Sequence, residues 1–381
     1  MYIILSAGEA INAMETRKKL FSIILAIVLV LTVLIIWAVF ASPPDTASTY
    51  KIGVLASLSG PAAFIGNSYI EGLTKAQEEI NSLGGINSKK VELILEDNQN
   101  LAQTGITAYK ALQVRDPDLI ISTMSTPTVA IAPIAKDSGI PLFVSLVFAD
   151  VLPIDPNAVA FFPTAMDDAK ATIRGMQKNR IKSVGVIFLN SEYGKASADA
   201  LINEANKTGI KIVGIEAFDG VANDFSTPLQ KILTKKPDAL YVAAINAIPI
   251  TKETKLFGPK PMIFTNLIPV FGGLVYSDKD TFKGVHLTAS AVSIPQTKEY
   301  ADFENKFPQN NSAGYTSIGY DNLYSIKAVL EKNSDVNSFV NTFQILGSFL
   351  GINGQYLIDS RNISMQLYPV VFDGGKIMPD A

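Results

Sequence analysis

Residues 91–144 read VELILEDNQNLAQTGITAYKALQVRDPDLIISTMSTPTVAIAPIAKDSGIPLFV. Three short apolar runs, 91–95, 119–122 and 141–144, have strand length and β-branched content. Between them, residues 101–114 and 126–137 carry apolar positions at helical spacing. Strand, helix, strand, helix, strand is the rhythm of a parallel sheet, because each parallel connection must cross over, and a helix is the usual crossover.

The rhythm extends both ways. Upstream, 51–56 (KIGVLA) reads as a strand, and a helix follows over about 67–82 with Ile70, Leu73, Ala76 and Ile80 on one side. Gly84-Gly85 ends it, as a terminus with positive φ requires. Downstream of Phe162 the alternation restarts: a helix at 167–178, a strand at 183–188, a helix at 193–207, a strand at 211–217 and a helix at 225–233. Strands at 239–244, 262–265 and 284–291 follow. The fold class expected is α/β, with two Rossmann-like lobes of parallel sheet carrying helices on both faces.

In open parallel sheets the ligand lies beyond the carboxyl ends of the strands. The loops to watch are therefore 58–66, 97–100, 123–127, 145–150, 190–194, 245–250 and 266–271. Strand ends of two lobes that face each other would make these loops the walls of a cleft.

Composition agrees with two cores. The chain has 381 residues, 48% hydrophobic and 18% charged, more than one hydrophobic core usually serves. A net charge of −3 without a basic stripe leaves nothing to attract nucleic acid. There is no cysteine, which excludes disulfides, thiolate metal sites and cysteine nucleophiles. His286 is the one histidine; it falls in an expected strand and reads as structural, and no nucleophile–base set emerges, so no enzyme and no cofactor is expected. Glu96-Asp97 lacks calcium-loop spacing and reads as a solvated or capping pair.

Residues 20–40, LFSIILAIVLVLTVLIIWAVF, carry no charge and follow Arg17, Lys18 and Lys19. Twenty-one helical residues at about 1.5 Å each span roughly 30 Å, a hydrocarbon thickness. The positive flank places residues 1–19 in the cytoplasm and the rest outside. The expectation is a single-pass transmembrane anchor in the cell membrane, a polar linker at 41–49, and an extracytoplasmic domain beyond. The alternative is a cleaved signal peptide, for which this apolar run is too long although Ala41-Ser42 is a passable cleavage site.

In order and spacing, IGVL at 52–55, LSGPAA at 58–63, AQEEINSLGG at 76–85, VELILEDNQ at 91–99, GIPL at 139–142, EYG at 192–194, DFS at 224–226, PDA at 237–239 and YDNL at 320–323 resemble the type I periplasmic solute-binding proteins, in the leucine/isoleucine/valine-binding branch. The resemblance implies two lobes joined by a three-strand hinge: 50–163 and 164–290, with 291–381 returning to the first lobe and ending in a hairpin at about 355–378. It also implies closure on a small molecule and delivery to an ABC permease. A membrane-tethered sensor of the same fold is the alternative.

Carried onto these positions, the resemblance places the ligand's carboxylate at Ser125 and Thr126, an aromatic wall at Tyr193, and further contacts at Phe148 and Ile245. Asn266 stands where the family's acidic partner for an ammonium group falls. Phe64 and Ile65 add apolar surface. A buried ammonium without a carboxylate costs several kcal/mol. The expected ligand is therefore amino-acid-like, or more suitably an apolar or aromatic carboxylate or an amide.

Overall fold

Strands β1 (Tyr50–Ala56), β2 (Val91–Asp97), β3 (Leu119–Thr123), β4 (Leu142–Ser145) and β5 (Ala158–Ala160) pair in parallel in the order β2-β1-β3-β4-β5. The computed structural model describes residues 7–40, 49–220, 224–257 and 260–380, with side chains in the first stretch from Met14 to Leu34. β3 and β4 are buried throughout, which is why they read as unbroken apolar runs: helices cover both faces. Helices α2 (Ala63–Ser82), α3 (Ala102–Val114) and α4 (Ser125–Ser138) make the crossovers. The three-residue β5 has no signal in the sequence, being shorter than any period that could reveal it.

After α5 (Ala165–Lys178), a second parallel run begins with β6 (Ser183–Leu189), followed by α6 (Glu192–Thr208), β7 (Lys211–Phe218), β8 (Ala239–Ala243), β9 (Met262–Thr265) and β10 (His286–Ala289). β11 (Ser348–Gly351), β12 (Gly354–Asp359) and β13 (Asn362–Met365) form a small antiparallel meander. β14 (Tyr368–Phe372) and β15 (Ile377–Pro379) then extend the second sheet, which runs β15-β14-β10-β9-β8-β6-β7.

This corrects the expectation for the last ninety residues. Residues 355–378 are not one hairpin: the turn at 360–361 closes the meander, and β14 pairs antiparallel with β10. The long helix Ala313–Lys332 does pack on α2. There the backbones touch: a Cβ on Gly72 would lie 1.9 Å from the Thr316 carbonyl, and one on Gly319 would lie 2.1 Å from that of Tyr69. His286 sits in β10, stacks on Phe264 at 4.6 Å and bonds Asp380 through Nδ1 at 2.8 Å, fastening the end of the chain.

Residues 1–48 and 49–381 are separate units. In the first, α1 spans Ala7–Phe40. The expected anchor at 20–40 runs past Leu34, the last side chain described in that helix, and 41–48 of the linker lie outside the described residues. Among the described residues no helix is long and apolar enough to cross a membrane.

Candidate functional site

Loops from the carboxyl ends of both sheets converge on one cavity of about 30 Å³, room for about two water molecules. Of the eight residues expected at the site, Ile65, Ser125, Thr126, Phe148, Tyr193 and Ile245 line it. Asn266 and Phe64 do not. Asn266 is fully buried behind the wall, where its Nδ2 donates to the Tyr193 hydroxyl and its Oδ1 accepts from the Ile268 N–H at 3.2 Å. Phe64 packs against Gly272, where a Cβ would come within 2.5 Å of its ring.

β3 ends at Thr123, and α4 starts at Ser125 with only Met124 between them. No side chain caps α4, so its first-turn N–H groups stay available. Pro127 has none to offer, which leaves those of Ser125 and Thr126 beside the cavity. The Ser125 hydroxyl accepts the N–H of Phe148 at 3.0 Å and of Ala149 at 3.4 Å. Its own proton is therefore free to be donated. Two N–H groups, one or two hydroxyl donors and the positive end of a helix dipole form a receptor for an anionic or carbonyl oxygen.

Two backbone outliers mark the same place. Met124 has φ 72° and Leu146 has φ 56°; among the described residues they are the only apolar side chains at positive φ. Both line the cavity. Such conformations cost about 1–3 kcal/mol each and persist where the surroundings impose them. They bring α4 and the Phe148 loop to one point.

Apart from Asn100 and Ser191, the rest of the lining is aromatic and aliphatic. Phe148 lies 5.7 Å from Phe162 and 5.7 Å from Tyr193, ring to ring. Phe271 lies 6.3 Å from Phe162 and 5.7 Å from Tyr315. Among the described residues the lining holds no charge. Asp150 and Glu192, acids within the watched loops 145–150 and 190–194, are exposed and outside it.

One acid stands directly behind the wall. Asp168, on the first turn of α5, is 1% exposed. Its Oδ1 accepts from the Leu267 N–H at 3.2 Å and from the Thr288 hydroxyl. Burial pushes this carboxyl up to about 7, against the pull of those two hydrogen bonds and with help from the neighbouring Asp167 charge. Burial likewise raises the Tyr193 phenol far above its usual range.

Sequence reasoning passed over Asp168 and Tyr315. Asp168 reads as an ordinary first-turn acid, and Tyr315 arrives from a helix more than 120 positions beyond Tyr193, so no local pattern ties either to the cavity. Met124, Leu146 and Leu267 lie inside the watched loops 123–127, 145–150 and 266–271 and could have been singled out there. The Glu96-Asp97 pair resolves into two structural jobs: Glu96 faces Arg115 at 3.7 Å, and Asp97 accepts the Leu58 N–H at 2.9 Å and the Ser59 hydroxyl at 2.5 Å, fixing the loop after β1.

Residues 49–371 match the family described as periplasmic binding protein. A Leu/Ile/Val-binding protein homolog of Brucella suis is 23% identical over 326 residues, covering 79% of this chain and 81% of its own. Among solved structures, the solute-binding protein of a Rhodopseudomonas palustris ABC transporter in complex with benzoate superposes with a TM-score of 0.77 at 18% identity, over 87% of this chain and 95% of that one. The branched-chain amino acid transporter substrate-binding protein LivJ of Streptococcus pneumoniae, in complex with isoleucine, gives 0.75 at 20% identity, over 87% and 98%.

Proposed function

The chain belongs to the periplasmic binding protein family, in the type I branch of the leucine/isoleucine/valine-binding receptors, and from that premise we propose that it is the extracytoplasmic receptor of an ABC-type importer, closing two lobes on a small ligand and passing it to the permease. The observation that carries this reading is the uncapped α4 terminus, with Ser125 and Thr126, opening on a cavity between the ends of two sheets. It works as a binder and carries out no chemistry on its ligand.

The lining favours a particular ligand. A carboxylate has donors at Ser125 and Thr126, whereas an ammonium group finds no ionised partner: Asn266 brings no charge, and burial favours the protonated form of Asp168. Aromatic or apolar monocarboxylates, or neutral amides, are the expected class. At about 100 times its dissociation constant such a ligand stabilises by about 2.7 kcal/mol, and a thermal-shift panel reads this directly. Benzoate-like acids are expected to exceed leucine and valine, Ser125→Ala to weaken the response, and small-angle scattering to show a more compact particle with ligand. A larger shift with leucine or valine would place a counter-charge at the site and overturn the ligand class.

The same proposal includes residues 20–40 as an uncleaved anchor, supported by their uncharged length behind Arg17, Lys18 and Lys19. The protein is then expected to stay with membranes through carbonate washing, its bulk open to external protease. A mature chain beginning near Ser42 in the soluble fraction would replace the anchor with a signal peptide. A tether would keep the receptor at high effective concentration beside its permease.

A further inference from the structure

The inner cavity shares two of its walls with a larger one. Phe148 and Phe162 line both the cavity of about 30 Å³ at Ser125 and an outer groove of about 690 Å³. The groove runs between the loop after β4 and the helices α5 and α6. Val147, Val151, Met166 and Ala200 contribute apolar surface to it, while Asp150 and Asp199 are exposed acids on its lining. Arg361, the one cation among the described residues of its lining, already donates from Nη1 to the Asp155 carbonyl and from Nη2 to the Leu152 carbonyl, each at 2.7 Å.

The partition has the marks of a movable part. The backbone N–H groups of Phe148 and Ala149 are both held by a single hydroxyl, that of Ser125. Two residues earlier, Leu146 sits at φ 56°, a conformation a leucine leaves readily when its surroundings allow. A ligand carboxylate drawing on the Ser125 proton acts on the same oxygen that holds the Phe148 loop.

We propose that Phe148 is a swinging partition between the two cavities, and that the site is extended: a carboxylate head at Ser125 and Thr126, with an apolar body passing the ring into the outer groove. The inference rests on the receptor reading above and narrows its ligand to elongated monocarboxylates. The inner cavity alone is too small for such a body, and the groove beyond the ring, at about 690 Å³ and with a mostly apolar lining, has the volume to hold one. Asp150 and Asp199 repel a second carboxylate at the far end, which separates monoacids from diacids.

The test is a calorimetric titration of the intact protein with butanoate, octanoate and octanedioate, followed by two variants. Octanoate is expected to bind at least tenfold more tightly than butanoate, and octanedioate at least tenfold more weakly than octanoate. Phe148→Ala removes the partition and is expected to raise the octanoate-to-butanoate ratio further. Ala196→Trp fills the groove from α6 and is expected to bring that ratio towards one; it serves also if the Phe148 variant folds poorly. Equal affinity for butanoate and octanoate, unchanged by Ala196→Trp, would overturn the extended site while leaving the receptor reading intact. No binding of any of the three acids, nor of benzoate, would overturn the extended site together with the carboxylate ligand class.

Discussion

Replacing Asp321 with alanine is expected to lower the unfolding free energy by about 4 kcal/mol at pH 5. Asp321 lies on the helix Ala313–Lys332 and is 1% exposed. Its carboxyl takes the Ile352 N–H at 2.7 Å, the Asn353 N–H at 3.1 Å and the Tyr356 hydroxyl at 2.7 Å. Two of the donors sit in the β11–β12 turn and the third, Tyr356, in β12 just after it, and Gly351 is pressed so close that a Cβ there would lie 2.4 Å from the Asp321 carboxyl. Alanine leaves each donor without an acceptor, at about 1–3 kcal/mol apiece. Burial raises this carboxyl to about 6, more than the hydrogen bonds from Tyr356, Ile352 and Asn353 lower it. The folded state therefore holds a proton that the unfolded chain releases between about pH 4 and 6, and wild-type stability falls as pH rises through that window. The alanine variant escapes that fall, so its deficit is expected to be about 1 kcal/mol smaller at pH 8 than at pH 5. Urea denaturation at the two pH values measures both; a loss under about 1 kcal/mol at pH 5 would mean that water replaces the carboxyl at the turn.

Asp168→Asn is expected to work in the opposite direction. Both donors to Asp168, the Leu267 N–H and the Thr288 hydroxyl, fall on Oδ1, so an asparagine keeps them and places its amide where the carboxyl carries its proton. The wild-type group rises from 3.8 to about 7 on folding. The folded protein holds this proton between about pH 4 and 7 while the unfolded chain has lost it, and stability falls across the window at up to about 1.4 kcal/mol per pH unit. Relative to wild type, the variant should gain about 3 kcal/mol between pH 5 and pH 8. Parallel urea curves with a constant offset over that range would show that Asp168 ionises as freely in the fold as in solution. Because the residue touches Leu267 behind the cavity, the same variant should leave carboxylate binding in place at pH 5. Strong leucine binding by wild type at pH 8, lost in Asp168→Asn, would instead make this acid the missing ammonium partner.

The parts that were legible in sequence share one property: their cause is local. Two alternating runs of strand and helix follow from periodicities a few residues long, and the cleft loops follow from where each strand stops. Strand ends gave only the loops; within them it was the family resemblance that singled out Ser125, Thr126, Phe148, Tyr193 and Ile245, each just past a strand.

What only the tertiary structure decided depends on groups brought together from far apart in the chain. Tyr315 reaches the cavity, and Asp168 the layer behind its wall, from helices that begin 188 and 40 residues after Ser125. Asn266 turns away from the cavity to donate to Tyr193, a choice set by a partner 73 residues distant. The pairing of β14 with β10 joins residues 79 to 85 apart, and nothing in 368–372 names the sheet they will enter. Burial decided the rest. A carboxyl at neutral pH is an anion by composition, and only the desolvation of its folded surroundings makes Asp168 hold a proton near pH 7. Cavity volume, ring stacking and shifted ionisation are all properties of packed surroundings, which a linear pattern does not contain until the chain has closed on itself.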